Sequence, residues 1–521
     1  MKNIKLFGLT AIIGCVGFSA RAYDFEENGI YYNILSPTDR TLEVTTGSSI
    51  GGLYRGEVAV PGSVIYDGHY YRVTAVGNKA FRHCFQLTSV KLPESITSFG
   101  DFAFENCEAL KQINIPSSLT TIGGGAFQNC LSLTSLEMPS TLTQIGALAF
   151  AYCESLESIS LNEGLGSIGN MAFQYCTSLE TLDLPASLYY IGSYPVLYST
   201  NLQSINVAEG NPLYSSSDGV LYNADQTKLL VCPGGKSSVS ILPTVGKIGF
   251  ASFYGCVNLE DVSIPSSVVD IEELAFYGCL KLTVVDIPEG VENIGDGAFR
   301  SCGVMTEVSL PSTLLSLGNQ SFMACYQLKE VTIPDNTIIL GSEAFEYCYD
   351  MKSVTVGKGV EFIGNRAFRN CSSLESLTLG HNLTAIGDNA FTGCPELTTI
   401  ESYAAVPPVV EGDDLFESRV YRNAQLYVIP ESVEIYSTTE PWNRFMSITG
   451  NLAGIEKTNL TGNLIVRTDG QALIIENTEL PVKVISIDGH TIYSGVAGRV
   501  DNLTKGIYVV VSGNESVKIA L

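Results

Sequence analysis

Apolar positions in this chain return every 23 residues. Phenylalanine marks the period: Phe81, Phe104, Phe127, Phe150 and Phe173, then Phe253, Phe276, Phe299, Phe322, Phe345, Phe368 and Phe391. Three residues after each ring stands a cysteine: Cys84, Cys107, Cys130, Cys153 and Cys176, then Cys256, Cys279, Cys302, Cys325, Cys348, Cys371 and Cys394. In the turn around Phe276 the other apolar positions are Ala275, Leu282, Val285, Ile287, Val291 and Ile294. Val285-Asp286-Ile287 alternates, which predicts a short strand with one buried face. Pro288 has no N–H to give a ladder and ends it. A glycine stands four residues before most rings (Gly100, Gly123, Gly146, Gly169, Gly295, Gly318, Gly341, Gly364, Gly387) and predicts a tight turn with positive φ. From there through Ala-Phe-x-x-Cys the chain has room for one helical or 3-10 turn. A fixed period of this length describes one unit stacked on copies of itself. One unit cannot fold alone. Its buried side chains bring roughly 1.5–3 kcal/mol each, against about 1–2 kcal/mol of backbone entropy for every ordered residue.

The period divides the chain. Residues 1–22 precede the pattern, and 23–78 read as an N-terminal cap with degenerate first turns. A first repeat block covers 79–193. In 194–244 the period breaks: Pro195-Val196 replaces Ala-Phe, and Val220-Leu221-Tyr222 and Lys228–Cys232 predict an inserted β-hairpin. A second block covers 245–400, and 401–455, with the single Trp442, reads as a C-terminal cap and linker. From 456 to 521 short apolar runs between turns predict a small β-sandwich.

Residues 1–22 carry Lys2 and Lys5, an apolar run from Leu6 to Ala20, and Ala20-Arg21-Ala22 before Tyr23, the pattern of a cleaved export signal. Ile12-Ile13-Gly14-Cys15 also resembles a bacterial lipobox, which would make Cys15 a lipid anchor at the outer surface. No transmembrane helix is expected in the mature chain, since no later apolar run reaches the ~20 residues a span needs. The formal charge of −25 argues against nucleic acid and anionic glycans as partners. Fourteen cysteines in an exported chain would ordinarily suggest disulfides. Equivalent side chains in stacked turns, however, point the same way. Their spacing, near the ~4.8 Å between strands, exceeds the ~3.8 Å between Cβ atoms that a disulfide favours. A column of buried thiols is the expectation.

Catalytic patterns are missing. His69, His83, His381 and His490 lie in different turns, and no zinc-protease, nucleophile-elbow or phosphate-loop motif occurs. No enzyme, cofactor or metal is expected. What the strands offer is an outward row of hydroxyls and acids. Its candidate ligand-facing residues are Asp183, Asp261, Asp286, Glu307, Glu330, Thr332, Thr355 and Thr378. Aromatic rings are missing from that row, which argues against sugar stacking there.

The recurring A-F-x-x-C-x-x-L-x-x-V-x-L-P-x-x-L-x-x-I-G, nearly complete in residues 80–101 (AFRHCFQLTSVKLPESITSFGD), resembles the bacterial surface leucine-rich repeat family typified by BspA. The resemblance covers roughly residues 23 to 450. It implies a leucine-rich-repeat solenoid of short parallel strands, one per 23-residue turn, with short helical or 3-10 turns, followed here by the small C-terminal β-sandwich. It also implies a secreted or cell-surface protein of Bacteroidetes-like anaerobes. Such a protein uses a non-catalytic surface to adhere to host matrix proteins or other bacterial surfaces. Gly506-Ile507-Tyr508-Val509-Val510 and Lys518-Ile519 resemble the C-terminal sorting domains of type IX secretion, without their strongly basic last residues. Two other readings stay open: a glycan-binding or glycan-degrading accessory protein, which would need an aromatic cluster beside paired carboxylates, and a passive surface spacer.

Overall fold

Each 23-residue unit closes into one turn of a solenoid. A computed structural model describes residues 23–47, 51–412 and 415–452, and in the C-terminal region 464–468, 472–476, 481–486, 491–501, 503, 507–512 and 515–520. The predicted export segment 1–22 with Cys15, and also His490 and Gly506, lie outside the described residues.

The full turns carry the expected strand and a second one, shorter except after Phe104, where Gln112–Ile113 and Thr121–Ile122 are both two residues long. The first includes Ser135–Glu137, Thr181–Leu184, Val284–Asp286 and Glu330–Ile333, with the buried–exposed alternation read from the sequence. The second is two residues long, as at Ser98–Phe99, Thr121–Ile122, Asn293–Ile294 and Phe362–Ile363. Two residues are too few for alternation to register. The second strands nevertheless build the long ladders, a 10-stranded sheet in the first block and an 11-stranded sheet in the second. First strands form shorter sheets, the largest six-stranded, from Glu330–Ile333 to Ser447–Gly450.

Around each ring the chain makes i+3 hydrogen bonds, as in Ala275 N–H to Glu272 O (3.2 Å) and Cys279 N–H to Phe276 O (3.3 Å). Left-handed residues two before and two after the ring, here Leu274 (φ 57°) and Gly278 (φ 70°), keep this from continuing into a helix. They also turn alternate N–H groups toward the next turn: Leu274, Phe276 and Gly278 donate to Asp296, Ala298 and Arg300 at 2.6–2.9 Å. The backbone polar groups of one turn are thereby satisfied by its neighbours.

The glycine column corrects the expectation of positive φ. Gly100, Gly123, Gly146, Gly169, Gly295, Gly318, Gly341, Gly364 and Gly387 do not adopt left-handed φ. A Cβ on any of them would lie 2.4–2.6 Å from the preceding turn. Glycine is required there by close approach of two backbones.

The interior is a file of rings. Successive phenylalanines within each block stack with centroids 4.5–5.4 Å apart and planes within 15°. Tyr54 starts the file against Phe81, and Phe416 ends it against Phe391. Trp442 closes the C-terminal end, fully buried, its Nε1–H donating to Pro408 O at 2.9 Å. The cysteines lie beside this file, all thirteen described ones buried and free. Ten of them donate S–H to the phenylalanine carbonyl of the preceding turn at 3.1–3.4 Å. The position asks for a small apolar body with one weak donor, which is what cysteine supplies. Where the period breaks, Ser199 takes the same place and donates to Phe173 O at 2.7 Å, while Val196 takes the place of the ring. Burial pushes the Cys153 thiol up to about 12. Because the thiolate is the reactive form and all thirteen described thiols are buried, these thiols are expected to resist a reagent such as DTNB in the native protein. Cys84, whose thiol is lowered by its hydrogen bond with Cys107, should be the first to react. The thirteen buried thiols should react once the chain is denatured. Dithiothreitol should leave its melting temperature unchanged, and rapid labelling of native protein would contradict the column.

Residues 214–231 do not hang off the array. Tyr214–Ser217, Val220–Asn223 and Lys228–Val231 form an antiparallel meander, whose last strand enters the parallel ladder beside Lys247–Ile248. The apolar interior consequently forms two clusters, one reaching Ile205 and Leu221, the other beginning at Val220 and Tyr222.

Near the C terminus a pair of small antiparallel sheets encloses Leu473, Ile475, Val482, Val484, Tyr508 and Val510. Ile485, Val509 and Val511, on the other face of the larger sheet, meet Ile338 and Ile339 of the solenoid.

Candidate functional site

Two surfaces of the solenoid carry features that packing does not require. The first is the outward row of the first strands. Asp183, Asp261, Asp286, Glu307, Glu330, Thr332 and Thr355 are exposed and Thr378 is half-buried. The structure does not bring all eight together. Thr332, Thr355 and Thr378 lie in register in one sheet, continued by Glu401 and Tyr427, and Glu330 occupies the adjacent row beside Ser353. Asp286 and Glu307 belong to a separate two-stranded sheet, and Asp261 to another. Asp183 lies beyond the inserted meander and accepts from Asn206 Nδ2 at 2.8 Å. Asp261, Asp286, Glu307 and Glu330 have no ion-pair partner among the described residues, although acids elsewhere pair with cations one turn away, as Asp335 does with Lys358 and Glu343 with Arg366.

The second surface lies at the junction of the two blocks. A cleft of about 240 Å³ opens there, its walls including Tyr194, Tyr198, Phe250 and Tyr254. Tyr194 meets Phe250 at 5.6 Å and 65°, and Tyr254 at 5.3 Å and 77°; Tyr198 meets Tyr254 at 6.4 Å and 76°. The rings therefore present walls in different directions. Two stacks run outward from the cleft. Tyr152, Tyr175 and Tyr198 follow one another at 4.7 and 4.9 Å. Tyr254 stacks on Tyr277 at 4.5 Å, and the Arg300 guanidinium lies 5.8 Å from the Tyr277 ring centre. The first stack arises from the repeat: these tyrosines stand two residues after the ring position, where the left-handed backbone recurs once per turn.

Hydrogen bonds hold the junction. Asn258 Nδ2 donates to Thr200 O (2.9 Å) and Gly234 O (3.2 Å), tying the second block to both ends of the interrupting segment. Glu272 is committed to Lys228 at 2.6 Å and to the Phe250 N–H at 2.7 Å. Glu273 is exposed and has no ion-pair partner among the described residues. Burial and, second, the charge of Glu273 raise the Tyr194 phenol. A glycan site would need an aromatic cluster beside paired carboxylates; the cluster exists, but one of the two carboxylates is already engaged by a lysine. Sequence reasoning missed this cleft. The 23-residue spacing of Tyr152, Tyr175 and Tyr198 was its visible signal, whereas the return of Tyr254 onto Tyr198 depends on the path of the meander.

The histidines are dispersed. His83 Nδ1 lies 3.0 Å from Asn106 Nδ2, away from the buried Cys84 thiol, and burial lowers the His381 imidazole. Among the described residues no group of three or more His, Cys, Asp or Glu side chains could hold a metal ion, and no helix is long and apolar enough to cross a membrane.

Comparison with known proteins agrees with this architecture. The family described as the BspA type leucine rich repeat region (6 copies) matches in overlapping stretches, residues 74–203, 121–241, 232–350 and 338–407. A leucine-rich repeat protein from Bacteroides ovatus is 27% identical, with a TM-score of 0.56, over 83% of this chain and 100% of its own. The pneumococcal vaccine antigen PcpA (20% identity, TM-score 0.53) is matched over 83% of this chain and 100% of its own, and likewise shares the fold. A Eubacterium ventriosum leucine-rich repeat protein (23% identity, TM-score 0.51) is matched over 70% and 93%. No curated protein matches the chain. The ring file, the thiol column and the 23-residue turn, matched by the family over most of the solenoid, place this chain in the BspA-type leucine-rich repeat family.

Proposed function

We propose that this protein is an exported adhesion protein of the bacterial surface, binding other proteins through its solenoid without catalysing a reaction. Its partners in this reading are host matrix proteins or the surfaces of neighbouring bacteria. The observation that carries it is the outward strand row, where Asp261, Asp286, Glu307 and Glu330 stand on successive turns with no ion-pair partner among the described residues. A rigid array that leaves carboxylates unpaired suits a partner with a cationic patch, since complementary charge steers encounter and fixes register. Export by the segment 1–22 and surface display belong to the same proposal, as does a sorting role for the C-terminal sheets.

The test is binding of the mature protein to immobilised matrix proteins and to whole bacterial cells. Saturable binding is expected, weakening as salt rises because exposed charges are screened. Replacing Asp261, Asp286, Glu307 and Glu330 together by lysine should weaken it at least roughly tenfold. No saturable binding to any surface would overturn the reading, and so would binding indifferent to the four replacements.

A further inference from the structure

We propose that the tyrosine-walled cleft between the two repeat blocks receives a cationic side chain, arginine or lysine, presented by the protein partner. The proposal deepens the protein-binding reading and rests on it. Three observations converge. The walls include rings set at 65–77° to one another, so a group entering the cleft meets aromatic surface from more than one direction. Ring faces attract cations, and more strongly when water is excluded. An acidic residue adjoins the cleft: the carbonyl of Glu273 accepts from the N–H of Ala251, a residue of the cleft wall, at 3.0 Å, and its side chain is exposed and has no ion-pair partner among the described residues. The same aromatic row also already takes a cation from within the chain, where Arg300 lies over Tyr277.

Tyr194 and Tyr198 have φ of 55° and 57°, the left-handed backbone that recurs two residues before and two residues after the ring position. At the position of Tyr198 several turns carry asparagine or glycine (Asn106, Asn129, Gly278, Asn370 and Gly393) and others a tyrosine (Tyr152, Tyr175 and Tyr347). Gly255 makes room for the cleft wall, because a Cβ there would lie 2.7 Å from the Tyr198 ring. Arginine suits this cleft better than lysine, since its flat guanidinium stacks on a ring while bonding a carboxylate.

The probe is the peptide acetyl-Gly-Arg-Gly-amide, added to the full-length protein and followed by saturation-transfer NMR. Transfer to the arginine side-chain protons is expected, reduced roughly fivefold by Glu273→Gln and by Tyr194→Ala. It should be unchanged by Glu434→Gln, an exposed carboxylate of the C-terminal cap. Equal transfer to acetyl-Gly-Gln-Gly-amide, equal loss in Glu434→Gln, or transfer to maltohexaose in place of the arginine peptide would overturn the proposal; the last would mark a saccharide site. If Tyr194→Ala does not fold, the exposed Glu273 decides alone. Adhesion that persists without peptide binding overturns the cleft and spares the adhesion reading. Peptide binding without adhesion does the reverse.

Discussion

Phe276→Ala is expected to lower stability by about 3–5 kcal/mol in urea unfolding. The ring is fully buried, with Phe253 stacked 4.5 Å away on one side and Phe299 4.9 Å away on the other. The cost of such a deletion depends on how far the surroundings collapse into the gap. Here they cannot collapse far. Hydrogen bonds from Leu274, Phe276 and Gly278 to the next turn fix the axial spacing whether or not the ring is present. Both neighbouring rings would then lose a stacking partner. Ser309→Ala, on an exposed strand position, should stay within about 0.5 kcal/mol. Equal shifts of the two variants would contradict the assignment of inside and outside.

Gly341→Ala, the addition of one methyl group, is expected to cost about 3 kcal/mol or more. A Cβ there would meet Asn319 N and Gly318 C at 2.5 Å, and Gly318 O at 2.6 Å. These are backbone atoms and cannot swing aside. The Gly341 N–H is itself bonded to Leu317 O at 2.8 Å, so relief requires parting two turns. Gly278→Ala is the comparison: φ is 70° but nothing lies within 4 Å of the added carbon, leaving a conformational penalty of about 1–2 kcal/mol. If Gly278→Ala were the more damaging, positive φ rather than close approach would govern the glycines of this fold.

The period made the ring file, the thiol column and the first strand legible, because each depends on one residue type at one spacing. Trp442 was legible as a cap for a related reason: a lone large ring after the last repeat has an open end of the apolar file to cover. What stayed hidden depends on neighbouring turns. The two-residue strands have no internal alternation and exist only as members of a ladder. The glycine column looked like a turn signal, since a sequence does not show how closely the backbone of another turn passes. Asp183 looked equivalent to Asp286, yet the meander separates them. The cleft was half visible, its first stack in the periodic tyrosines and its second in residues that meet them only after the chain has left the array and returned.

The break in the apolar interior bears on how this molecule would respond to load in the proposed adhesion role. A uniform array passes tension from turn to turn, and cooperativity between turns comes from their shared contacts. Here the phenylalanine file is interrupted between Phe173 and Phe253, and the interior forms two bodies. Regions with separate interiors open as separate cooperative units. In the adhesion role proposed above, a molecule pulled from both ends is expected to give way in two instalments, lengthening first while the remaining half stays folded.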